Sequence, residues 1–234
     1  MNKTHSGITG AELQIDFFKI KPKTMRDILQ IGEDEYFRKV GLLTIEPKLQ
    51  LKDLPKEILE KVTDYELFLQ MCKMNESIGI EYVDALNYFC PDAGFVLVQG
   101  LIGTSTHLFN SETFLQVRDF ILKEHLIELD PARHYQSANS KADEIKRKIE
   151  ENKRIVAKSK NKNKEHIGLE DHLLSFIVVD KSYMLETAQD LTYYQFLKML
   201  KKHQIVENYD LGIKQLLAGA DPKKVDIKHW LETK

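Results

Sequence analysis

Between Asp190 and Trp230 the residue spacing leaves little freedom in how the chain folds. Asp190 suits a helix N-cap, and Tyr193, Phe196, Leu197 and Leu200 follow at the i, i+3, i+4, i+7 spacing of one helical face. Tyr209, Ile213, Leu216 and Leu217 repeat that stripe. Gly219 then offers a left-handed cap, and Pro222 bars further helix. The pattern predicts two helices and a capped ending, poor in nucleophiles, bases and ligand clusters. Such a segment is built for packing or binding, and it points away from catalysis.

Upstream, the punctuation predicts short elements. Gln14 to Ile20 alternates as a strand closed by Pro22. Thr24 caps a helix over Met25 to Ile31, with Asp27 completing a capping box. A polar turn at Gly32 precedes an apolar face of Tyr36, Phe37, Val40 and Leu43. Pro55 opens a helix running to Asn75, with Ile58, Val62, Tyr65, Leu69 and Cys72 on one side. Ile80 to Phe89 forms the next helix, ended by Pro91. Phe95 to Gln99 has strand composition, and Gly100 and Gly103 mark a hairpin. Ser111 caps a helix carrying Phe114, Val117, Phe120, Ile121 and His125, which Asp130-Pro131 breaks.

The material then changes. From Lys141 to Lys164 there are ten Lys/Arg against four Asp/Glu, a local charge of +6 in a chain whose net charge is −2. Ile145, Ile149, Ile155 and Val156 are the only sizeable apolar residues of this charged helical stretch. Ser159 to Lys164 reads as a linker, and a last helical unit runs from Leu169 to Val179. The expected fold is mostly α within an α+β class. Its predicted parts are an N-terminal α+β domain over 1–136, a basic helix and linker over 137–166, and a C-terminal helical domain over 167–234.

Apolar residues make up 42% of the 234 positions, enough for a real core. No apolar run approaches the roughly 20 residues of a membrane span, and the N-terminus lacks an export signal's apolar centre. A cytoplasmic protein without a membrane partner is expected. Cys72 and Cys90 are read as buried free thiols.

Groups that could carry chemistry do not converge. His125 and His134 straddle a proline break, His166 and His172 are six residues apart, and His203 and His229 are read as lacking acidic neighbours at ligand spacing. All are taken as ordinary surface or cap histidines. Glu33-Asp34-Glu35 reads as a solvated turn. Gly100 to Gly103 lacks the Lys-Ser/Thr ending of a phosphate loop, and Ser105, His107 and Ser111 lack a nucleophile elbow. No metal, no cofactor and no enzyme activity are expected. The basic stretch suits a solvated helix, nucleic-acid phosphates, or an acidic protein face on a partner or another copy. Among the C-terminal aromatics, Tyr194 falls off the main stripe and Trp230 stands near the chain end, which marks both as binding candidates.

The run Asp190-Leu-Thr-Tyr-Tyr-Gln-Phe196, then Tyr209-Asp210, Leu216 to Val225 and Lys228-His-Trp230, resembles the C-terminus of tail-assembly chaperones and related tail-morphogenesis proteins from phages of Gram-positive bacteria. Lys19-Ile-Lys-Pro22, Thr24, Asp27-Ile28, Ile31 to Tyr36 and Ala142 to Lys146 are similar to the same group. The likeness is weakest over Phe176 to Gln189. It implies a helical, non-enzymatic protein of the host cytoplasm that binds the tape-measure protein and helps recruit tail-tube subunits. Tyr194 and Trp230, with Lys146, Arg147, Lys153 and Arg154 for electrostatic docking, are the expected binding residues. A homo-oligomer, a nucleic-acid-associated phage protein and a structural virion subunit are the alternatives.

Overall fold

The computed structural model describes residues 7–51, 55–129, 167–221, 225 and 229, without the side chains of Lys56 and Ile58. Among them are ten α-helices, a short 3-10 turn at Gly7–Thr9 and two two-stranded antiparallel sheets, a mostly α member of the α+β class.

The single strand expected over Gln14 to Ile20 is a hairpin, β1 (Leu13–Ile15) paired with β2 (Phe18–Ile20), Ile15 opposite Phe18. Asp16 at φ 48° turns the chain, a positive value that primed hairpin turns need and that Asp tolerates. Ile15, Phe18 and Ile20 all point inward, so the alternation survives the turn. Thr24 caps α1 (Met25–Ile31) as expected: its hydroxyl accepts from the Asp27 amide, and the Asp27 carboxylate accepts from the Thr24 amide at 3.0 Å. Only Gly32, at φ 89°, separates α1 from α2 (Glu33–Leu43), so Glu33, Asp34 and Glu35 form a helical first turn and not a loop.

After α3 (Pro47–Gln50), the helix expected from Pro55 to Asn75 is two, α4 (Lys56–Lys61) and α5 (Asp64–Met74). Thr63 breaks it by capping α5, with Glu66 reaching back to the Thr63 amide at 2.8 Å. Asn75 then caps α6 (Glu76–Phe89), which starts four residues before the expected Ile80. The predicted hairpin is present as β3 (Val96–Val98) and β4 (Leu101–Gly103), with positive φ at both loop residues, Gln99 and Gly100. Asn110, not Ser111, caps α7 (Ser111–Glu124): its side chain accepts from the Thr113 amide at 2.9 Å.

The C-terminal helices are α8 (Leu169–Val179), α9 (Leu185–Gln189) and α10 (Tyr193–Leu217). Two expected helices are thus one of 25 residues. Nothing between Leu200 and Tyr209 breaks a helix, and the second apolar stripe lies on the far side of the same rod. Phe196 and Gly212, its two buried residues, are sixteen positions apart, about 160° around the axis at about 100° per residue. Leu217, expected in that second stripe, is exposed. Thr192 is the N-cap, paired with Gln195, while Asp190 is engaged elsewhere. Gly219 ends the helix as expected: at φ 91° its amide donates to Leu216 and that of Ala220 donates to Gln215.

An aromatic nucleus fills the centre, with Tyr82 against Phe68 (4.5 Å between ring centroids) and Phe114, and Phe109 and Phe95 continuing towards Phe18. Each such ring taken from water contributes about 1.5–3 kcal/mol. Cys72 and Cys90 are buried free thiols, as expected, and burial pushes Cys72 up to about 11. Leu169, Leu173, Phe176, Ala188 and Phe196 belong to the same buried cluster as the N-terminal elements.

Candidate protein-binding surface

The caps of α1 and α10 are joined back to back. Thr24 and Thr192 form an antiparallel bridge: the Met25 amide donates to Leu191 at 2.8 Å and the Tyr193 amide to Lys23 at 2.9 Å. Both threonines close their own capping boxes, so one crossing organises two helix starts. Arg26 reinforces it, donating to Asp190 at 3.0 Å and to the Glu186 carbonyl. A second tie comes from Glu33, whose carboxylate accepts from the Leu169 amide at 2.8 Å, capping α8 from 136 residues away. The stretches around Thr24 and around Thr192, far apart in sequence, therefore meet in space.

Behind this junction lies a buried polar pair. His125 caps the end of α7 but is no surface residue. Its Nδ1 lies 2.6 Å from the Ile121 carbonyl, which can only accept, so Nδ1 carries the proton. In the neutral ring Nε2 is then the acceptor, and the Tyr36 hydroxyl donates to it at 2.8 Å. Tyr193 packs beside the imidazole, tilted by 38° with 5.1 Å between ring centroids. Burial pulls His125 down to about 4, partly offset by its bond to Ile121, and drives Tyr36 well above the usual phenol range. This pair is a buried structural connection between α2, α7 and α10.

The face open to solvent lies on α8 and α9. Leu169, Leu173 and Phe176 pack inward, and Phe176 meets Phe196 edge-on. The run Leu-Leu-Ser-Phe-Ile-Val-Val (173–179) is too apolar for one face, however. Leu174 and Val178, one turn apart and 44% and 74% exposed, form an outward apolar ridge. Val179, Met184 and Leu185 are exposed beside them in sequence. An amphipathic helix ordinarily keeps its apolar residues on the buried face, so Leu174 and Val178 leave an apolar strip of this one exposed. In sequence this stretch is acidic: Glu170, Asp171, Asp180, Glu186 and Asp190 outnumber Lys181 over 167–197, Asp190 being paired with Arg26.

Of the residues singled out from sequence, Tyr194 sits half-buried in the first turn of α10, with the Lys198 ammonium 5.6 Å from its ring. Trp230, Lys146, Arg147, Lys153 and Arg154, and the whole basic stretch, lie outside the described residues. Residue spacing alone does not single out the α8 ridge, although the apolar 173–179 run signals it. His203 does have an acidic neighbour, Glu207, which lies 3.6 Å away at i, i+4. His229 packs edge-on against Tyr209 at 5.2 Å, on the second stripe of α10. The supposed turn carboxylate Glu35 is held down to about 2 by Arg38 and Lys39. Among the described residues, no group of three His, Cys, Asp or Glu gathers at metal-binding distance, and no helix is long and apolar enough to cross a membrane.

Residues 159–233, under half of the chain, match the family described as the YomV second domain, a phage-derived family. No curated protein and no solved structure matches. The matched segment contains α8, α9 and α10, so the likeness to a phage-associated domain family rests on the part that carries the open ridge.

Proposed function

We propose that the chain is a phage tail-assembly chaperone acting in the host cytoplasm. It holds the tape-measure protein through the open face of α8 and α9 and helps recruit tail-tube subunits, without catalysis. The observation that carries this reading is the Leu174–Val178 ridge, apolar and exposed, within a segment whose sequence is rich in carboxylates and that resembles a phage-derived domain. A client helix with an apolar stripe and basic flanks fits such a face, because the stripe supplies affinity and the flanks select orientation. Co-expression with the tape-measure protein of the same phage, then affinity capture and size-exclusion chromatography, tests it. A soluble complex lost in the double variant Leu174→Asp, Val178→Asp is the expected result. If that complex survives the change but is lost in Tyr194→Ala with Trp230→Ala, those two aromatics hold the client instead.

A second reading rests on the +6 charge of 141–164, which suits nucleic-acid phosphates. A client that stays insoluble, together with a DNA mobility shift that fades steeply with salt, would favour it over the chaperone.

A further inference from the structure

The β3–β4 hairpin presents a second apolar face, far in sequence from α8. Its register places Val98 opposite Leu101 and Val96 opposite Gly103, with Leu97 and Ile102 on the other side. Leu97 and Ile102 turn inward, where Leu97 fills the space beside Gly79. The outward row is left uncovered: Val96, Val98 and Leu101 are 48%, 59% and 45% exposed. Leu108 extends it, since it bridges to Gly103, lays its side chain over that glycine and is itself 66% exposed.

Charge decides what kind of partner this face suits. Between Asp92 and Glu112 the chain runs nineteen residues without one Asp, Glu, Lys or Arg, although 30% of the whole is charged. Exposed strands of monomeric proteins ordinarily carry charge that keeps them from associating. A face meant for a charged partner would carry the complementary sign. Two-fold self-association has the opposite requirement, because residues near the axis meet their own copies and any charge there meets its like. An apolar face whose own strands and loop carry no charge satisfies that requirement.

We propose that the outward face of β3–β4, centred on Val98 and Leu101, is the docking surface for a second copy of this chain in a two-fold dimer. The dimer is independent of the client face on α8, so either can fail without the other.

Sedimentation velocity across the micromolar range tests it on the full chain. The wild type is expected to pass from monomer to dimer with concentration, while Val98→Lys and Leu101→Lys stay monomeric with unchanged thermal midpoints, both positions being exposed. Val98→Cys supplies a second readout, because Cys72 and Cys90 are buried and the new thiol is the reactive one. Its alkylation rate is expected to fall as protein concentration rises. A wild type that stays monomeric, a dimer that persists in both lysine variants, or an alkylation rate indifferent to concentration overturns the proposal. Monomeric wild type in complex with another protein through this face overturns it as well.

Discussion

Acid should weaken this fold through one histidine, and the size of the effect follows from where His125 sits. The folded-state value lies near 4, lowered from 6.5 first by burial. Between those values the unfolded chain binds a proton that the folded chain refuses, so stability is fully present above about pH 6.5 and is lost as pH falls towards 4. The full shift is worth about 3 kcal/mol, and about 2 kcal/mol of it is gone by pH 5. The protonated ring would also turn an Nε2–H towards Tyr36, which now donates to that nitrogen. Urea unfolding at a series of pH values from 7.5 to 5, for the wild type and for His125→Gln, isolates the effect. The variant lowers stability at every pH but removes the titration, so the two curves should converge by about 2 kcal/mol as pH falls. Parallel curves would refute the buried neutral imidazole and the tautomer deduced from Ile121.

Thr192→Ala should cost about 1 kcal/mol in chemical denaturation, whereas Asp190→Ala should stay within about 0.5 kcal/mol because its bridge to Arg26 is exposed. The reverse order would return the cap to Asp190. Glu33→Ala should cost about 1–2 kcal/mol and speed hydrogen exchange at the Leu169 amide, read by NMR or mass spectrometry. Phe196→Ala should cost about 3–5 kcal/mol in thermal or urea unfolding, since the ring is buried against Phe176. Leu174→Asp with Val178→Asp should instead leave unfolding nearly unchanged while abolishing client capture.

What the sequence made legible was local. Thr24 with Asp27, and the cap at Gly219, are read from near neighbours, and both behave as read. Thr63 with Glu66 is a signal of the same kind, hidden because an apolar stripe ran through it from Val62 to Cys72. The hairpin at Asp16 was hidden differently, since an alternation of inward residues looks the same whether the strand runs straight or turns back. Asp190 and Thr192 are both good caps by type. Arg26, 164 residues distant, takes the first and leaves the second to the helix. No single-chain pattern carries that pairing, nor the Glu33 cap of α8, nor the partnership of Tyr36 with His125. The open ridge was present in composition alone, as a helix with more apolar residues than one face can use.

The opposed stripes of α10 make it a fixed-phase rod. Its first apolar side is committed to the core through Phe196, and its second points the other way about 20 Å along the axis, with His229 resting on Tyr209. Whatever seats on that far side is thereby held at a set distance and a set angle from the body of the protein. Both settings are written in residue count. Two residues inserted between Leu200 and Ile205 would lengthen the rod by about 3 Å, yet swing the far stripe through about 200°, onto the side that faces the core. Chain length in this segment is therefore an angular setting first and a spacing second, and natural variation there should come in whole turns.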